Sequence, residues 1–252
     1  MSYYYGDHTS AEIAEYAKNN AVVVIPVGTT EEHGLHLPVE CDAIIARHYG
    51  DRIGEACEKA GIPVLVLRTI SYGFSMGVVR HWPGCPNVDI HVLTSYITCI
   101  VESLVKEGFK KIVMLNCHGN HDCVLRTVMR DIADKYDVFT MTIGAGIGGA
   151  YDKMKRDPEG DIHGGEYETS LMLHIAPELV HTDKYTNVDA IRIDRRLLGP
   201  VSTWGLQQTK TGIFGDPTYA TAELGKAIMD SAVEKAVEYI RVYREHSEQS
   251  NA

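Results

Sequence analysis

Apolar residues along this chain fall into short unbroken blocks separated by stretches where they recur every three or four positions. The blocks are Ala21–Pro26 (Ala-Val-Val-Val-Ile-Pro), Val64–Leu67 and Ile112–Leu115, with a fourth from Val138 to Ile143. A block without polar alternation is expected of a strand covered on both faces, as in a parallel sheet. The intervening stretches read as helices. Thr9-Ser10-Ala11-Glu12 spells a capping box that opens a short one. Residues 42–60 carry Ile44, Ile45, Ile53 and Cys57 on one face, with Asp42 as the expected cap and Gly61 at the expected stop. A third helix is expected from Asn87 through Val92, Tyr96, Ile100 and Leu104 to Gly108, and a fourth over 121–136. Strand and helix alternating at this spacing imply a parallel sheet with helices on both faces, and ligands then bind at the carboxyl ends of the strands.

The rhythm changes after residue 144. Gly144–Gly165 is glycine-rich and charged, and predicts a surface loop or lid. A helix over 168–175 follows. Gly215-Asp216-Pro217 marks a turn before a last helix over 220–243, which carries Leu224, Ile228, Val233, Val237 and Ile240. No repeat or linker-like stretch divides the chain, so one domain spanning 1–252 is expected.

Composition narrows the function classes. The 252 residues are 44% apolar and 23% charged, an ordinary globular balance. The 24 basic against 34 acidic side chains leave a net −10, which speaks against a nucleic-acid backbone as partner. No run reaches the roughly 20 apolar residues that span a bilayer. The start, MSYYYGDHTS, lacks the basic and apolar regions of a signal peptide, so a cytoplasmic location away from membranes is expected. The six cysteines form no CxxC pair and read as reduced thiols.

The 12 histidines change the picture more, because several sit at strand ends. The first block runs into Gly28-Thr29-Thr30-Glu31-Glu32-His33-Gly34-Leu35-His36, with Asp42 close behind. Carboxylates and imidazoles together suit Zn²⁺, Mn²⁺ or Fe²⁺. The third block runs into Asn116-Cys117-His118-Gly119-Asn120-His121 on the same edge of the expected sheet. The third cluster is Asp161-Ile162-His163-Gly164-Gly165-Glu166-Tyr167-Glu168. Acids at a helix start are favoured electrostatically without any function. A histidine on a glycine-hinged segment, however, can serve acid–base chemistry above a metal. His81, in His81-Trp82-Pro83-Gly84, could line a pocket on this edge. The chain has no GxSxG, HExxH, P-loop or GxGxxG.

In order, the segments PVGTTEEHGLHLPVECD, HWPG, LNCHGNH, HGGEYETS and GDPTYAT resemble the creatininase (creatinine amidohydrolase) family through nearly the whole chain. The resemblance implies a three-layer α/β/α fold with a mostly parallel sheet, one or two divalent ions per subunit, and a homo-oligomer, a hexamer in that family. It implies Glu31, Asp42 and His118 as ligands of one ion, and His33 with a bridging Asp42 as ligands of a second. Where creatininase completes the second site with a glutamate, this chain has Asn120. His163 matches the catalytic histidine and would pass a proton to the leaving group. Glu168 matches the acid of the ETS motif and would orient His163 or take a proton from water. Asn120, His121, His81 and Glu166 are expected around them. Creatininase stacks its flat substrate on tryptophans just before the ETS motif. This chain has only Trp82 and Trp204, neither placed there. The expected activity is therefore metal-assisted opening of a small cyclic amide or cyclic ketone other than creatinine. The alternatives are a cyclic-diketone hydrolase of inositol breakdown (3-dehydro-scyllo-inosose type), a formamidopyrimidine deformylase, and a non-catalytic metal- or sugar-binding protein.

Overall fold

A computed structural model describes residues 2–158, 161–186 and 210–249. Four strands, β1 (Val22–Val27), β2 (Val64–Val66), β3 (Lys111–Asn116) and β4 (Phe139–Gly144), form one sheet in the order β2-β1-β3-β4. Every pairing is parallel, with Val24 opposite both Val66 and Val113.

Helices cover both faces, as the unbroken apolar blocks predict. Val22, Val24, Val64, Val66, Val113 and Leu115 point to one side. There they pack with α2 (Cys41–Lys59), α6 (Glu166–Ile175) and α7 (Ala222–Gln249). Val23, Ile25, Val27, Leu65, Ile112 and Met114 point to the other side, against α1 (Ser10–Lys18), α3 (Ile90–Lys106) and α4 (Asp122–Lys135). The three-layer α/β/α arrangement follows from this period-two division of each strand. The edge strand β4 is the exception: only Ile143 of its six residues is buried. The α1 capping box forms as expected, with Thr9 accepting from the Glu12 amide.

Three boundaries differ from expectation. Asp42 does not cap α2; Glu40 holds that position, and Asp42 lies in the first turn. Asp89, not Asn87, caps α3, accepting from the His91 and Val92 amides. Asn87 instead accepts the Ser75 amide at 2.8 Å. The loop after β4 contains a short helix, α5 (Ala150–Met154), and Trp204 lies outside the described residues.

The strand order positions the site. From β1 the chain crosses to β2 on one side, and the later strands add on the other. The topological switch therefore lies between the carboxyl ends of β1 and β3.

Candidate metal centre

Gly28 follows β1, and α2 presses directly on it. A Cβ there would stand 2.6 Å from the Asp42 carbonyl and 2.7 Å from Ala43. Only glycine permits this approach, and it brings the first turn of α2 beside the loop leaving β1. That loop is fixed from both sides. Thr30 donates its hydroxyl to the Ser71 carbonyl at 2.8 Å, and the Glu31 amide donates to Val39. At the end of β3 the Asn116 side chain accepts the His118 amide at 3.1 Å, turning His118 over the sheet edge.

Glu31, His33, Asp42, His118, His163 and Glu168 meet here, all but Glu168 buried. His33 donates from Nδ1 to the Glu31 carbonyl at 3.0 Å, because a carbonyl only accepts. Its Nε2 is therefore the nitrogen that faces Asp42 at 3.3 Å and Glu168 at 3.8 Å. His118 Nδ1 lies 2.8 Å from the second Asp42 oxygen and 3.7 Å from Glu31. Neither Asp42 contact is aligned as a hydrogen bond. Both Asp42 oxygens, Glu31 Oε2 and His33 Nε2 are buried without a hydrogen-bond partner. Desolvated lone pairs left this way are costly. A cation at their focus removes the cost, so the donor set fits a divalent metal.

Three overlapping groups have ligand atoms within 4.8 Å of one another: Glu31/Asp42/His118, His33/Asp42/Glu168 and Glu31/His33/His163. Asp42 is common to the first two. Asn120 is half-buried and lines the pocket beside them.

The electrostatics without a cation agree. Burial opposes charge on His33, but Asp42, Glu168 and Glu31 outweigh it and hold the imidazole well above its ordinary value. For His118, Glu31 and Asp42 overcome burial in the same way. Burial also opposes charge on Asp42, yet the two imidazoles hold it well below the usual carboxylate range. Protons and a metal would therefore compete for the same nitrogens.

His163 is held by a pair of main-chain bonds with Phe214 and stacks on His33 with ring centroids 4.4 Å apart. It donates from Nε2 to the Glu32 carbonyl at 2.7 Å, and the Glu32 carboxylate lies 3.5 Å from the same nitrogen. This leaves Nδ1 toward Glu31, 3.6 Å away. Burial and His33 would lower its pKa, but Glu32, Glu31 and Glu168 raise it to about 9. Two carboxylates thus flank the His163 ring, Glu31 at Nδ1 and Glu32 at Nε2, and the role of Glu32 was not revealed by the sequence. Glu168 instead accepts the Gly164 amide at 2.6 Å and faces His33.

The remaining expected residues divide. His121 is buried with its ring 4.6 Å from His118, and its Nε2 accepts the Phe74 amide at 3.0 Å. Burial, reinforced by His118, lowers its pKa to about 3, so it serves as a neutral prop. Glu166 is fully buried and accepts the Arg156 and Asp157 amides, holding a loop rather than facing the pocket. His81 is exposed and lies outside the pocket lining. Asp161 accepts the Gly165, Tyr167 and Glu168 amides and so fixes the start of α6.

A cavity of about 240 Å³ opens over the centre. Glu31, His118, Asn120, His163 and Glu168 supply its polar side, and Met76, Val78, Val79, Ile162 and Phe214 its apolar side. The profile of the creatininase family, described as creatinine amidohydrolase, matches residues 6–240.

The chain belongs to the creatininase family. Creatininase-family members are metal-dependent hydrolases, and the named relatives are hydrolytic enzymes. The mycofactocin precursor peptide peptidase of Mycobacterium tuberculosis (strain CDC 1551 / Oshkosh) is 28% identical over 244 residues, covering 92% of this chain and 89% of the relative. The creatinine amidohydrolase of Pseudomonas putida is 26% identical over 245 residues, covering 90% and 92%. The 3-dehydro-scyllo-inosose hydrolase of Thermotoga maritima is 26% identical over 261 residues, covering 94% and 81%. Among solved structures, creatininase in a manganese form aligns with a TM-score of 0.80 at 24% identity, over 96% of this chain and 99% of that one. A Zn–Zn form aligns with the same score, over 96% and 98%. Among the described residues no helix is long and apolar enough to cross a membrane.

Proposed function

We propose that this creatininase-family hydrolase opens a small cyclic amide or cyclic ketone other than creatinine, at a two-ion centre. The reading rests above all on the buried, hydrogen-bond-free lone pairs of Glu31, Asp42 and His33 that converge with His118. Glu31, Asp42 and His118 would hold one ion. His33, Asp42 and Glu168 would hold the second, with Glu168 supplying the carboxylate that Asn120 cannot. When bound, a divalent ion supplies a water of lowered pKa and polarises the substrate carbonyl.

The protein's residues do the rest. Asp42, common to both groups, orients the nucleophile. His163, with Nε2 tied to the Glu32 carbonyl, moves the proton to the leaving group through Nδ1. Glu32 orients His163, the part expected of Glu168. The Asn120 amide, which both donates and accepts, faces substrate. We also place the protein in the cytoplasm as a homo-oligomer acting on a small molecule. The family resemblance supports the oligomer and the small-molecule substrate.

Chelator-stripped protein assayed on cyclic amides, cyclic 1,3-diketones and short peptides should be inactive and recover with Mn²⁺ or Zn²⁺. Full turnover without metal contradicts the reading. A metal- or sugar-binding protein without catalysis would bind these compounds unchanged.

A further inference from the structure

The apolar side of the cavity is a structure of its own. Val78, Val79 and Phe214 are nearly fully buried and form a small hydrophobic cluster with Met76 and Ile162, separate from the two clusters that flank the sheet. This wall is anchored at three points. The Cys85 thiol donates to the Val79 carbonyl at 3.3 Å and accepts the Glu32 amide at 3.2 Å. It thereby ties the wall to the segment bearing Glu31 and His33. His121 holds the Phe74 amide, and Asn87 holds the Ser75 amide. Among the described residues lining the cavity there is no lysine or arginine, and its side-chain carboxylates are those of Glu31 and Glu168. A dry apolar cavity of about 150 Å³ holds a benzene molecule. The 240 Å³ here therefore takes the reacting carbonyl and one group of about that size.

Building on the hydrolase reading above, we propose that the Met76–Val79 turn is the specificity element of this site, selecting substrates with a neutral apolar group beside the scissile carbonyl. The carbonyl lies on the Glu31–His118 side, and the group packs on Met76, Val79 and Phe214. Among the described residues of that wall an anionic arm finds no side-chain donor, and a buried charge without a partner is rejected.

Alkyl hydroxamates test this without a known substrate, because they share one metal-chelating head and differ only in the arm. On zinc-loaded protein, hexanohydroxamate should bind at least tenfold tighter than acetohydroxamate, as buried methylenes require. Succinic acid monohydroxamate, with a carboxylate-tipped arm, should gain nothing over acetohydroxamate. Val79→Asn and Met76→Asn should each erase the alkyl advantage while leaving zinc content and acetohydroxamate affinity unchanged. Met76 is half-buried, so its variant carries the test if Val79→Asn fails to fold. Equal binding of the two alkyl hydroxamates, or an advantage surviving Met76→Asn, overturns the specificity assignment and leaves the metal centre standing. No zinc-dependent hydroxamate binding at all overturns the metal reading and this inference with it.

Discussion

Gly28 shows how one residue positions a centre it never touches. Its missing side chain lets α2 approach β1, and Asp42 reaches both His33 and His118 as a result. Gly28→Ala forces the backbones apart and should cost about 1–3 kcal/mol of stability, as overpacking does. Metal content should fall with it, and denaturant unfolding with metal analysis of the same preparation checks both. Asp42→Asn should lose both ions, whereas His163→Ala should keep its metal and lose turnover by about 10²- to 10⁴-fold, the usual worth of a placed proton shuttle. Metal analysis beside the activity assay separates the two. At this scale the ligands were legible because chemistry-bearing side chains stand where apolar blocks stop. Glu32 and Cys85 were not, because their roles depend on contacts with distant segments. Cys85 is 53 positions from Glu32, and Glu32 is 131 from His163.

At the scale of elements, the start of α6 carries the catalytic segment, and two acids hold it, a half-buried Asp161 and a fully buried Glu166. Asp161 accepts three amides there, and Glu166 binds back to Arg156 and Asp157. The sequence could not separate these structural acids from Glu168, because a helix start favours any carboxylate. Glu166→Ala strands one buried and one part-buried amide and should cost about 1–3 kcal/mol, read as a lower urea midpoint with zinc binding retained. The other face of α6 lies on α7. A Cβ at Gly225 would stand 1.9 Å from the Ser170 carbonyl. Gly225→Ala should therefore destabilise despite its better helix propensity, and a stabilised variant would contradict the packing. The strands and main helices were legible from the periodicity, while the caps at Glu40 and Asp89 were not. Asp42 and Asn87 have cap-forming side chains, but each is used elsewhere.

For the whole molecule, the parallel sheet and its switch between β1 and β3 gather a charge cluster whose protonation opposes metal binding. His33 and His118, held above their ordinary values, must shed protons before they can ligate. Zinc affinity should therefore rise with pH through and above neutrality. Stability without metal should peak near pH 6.5. Burial lowers His36 to about 4 and His121 to about 3, so their stabilisation is lost as pH falls below the unfolded value near 6.5. Asp161, raised by burial and Glu168 to about 7, partly offsets them. Above 6.5 the raised His33, His118 and His163 reverse the sign, and stability falls as pH rises through their folded values. Saturating zinc should abolish that alkaline fall, which thermal unfolding across pH reads directly. Anomalous diffraction at the zinc edge tests the centre itself. One peak should lie among Glu31, Asp42 and His118, and a second among His33, Asp42 and Glu168. No peak there, or a second ion bound through Asn120 with Glu168 turned away, would contradict the account.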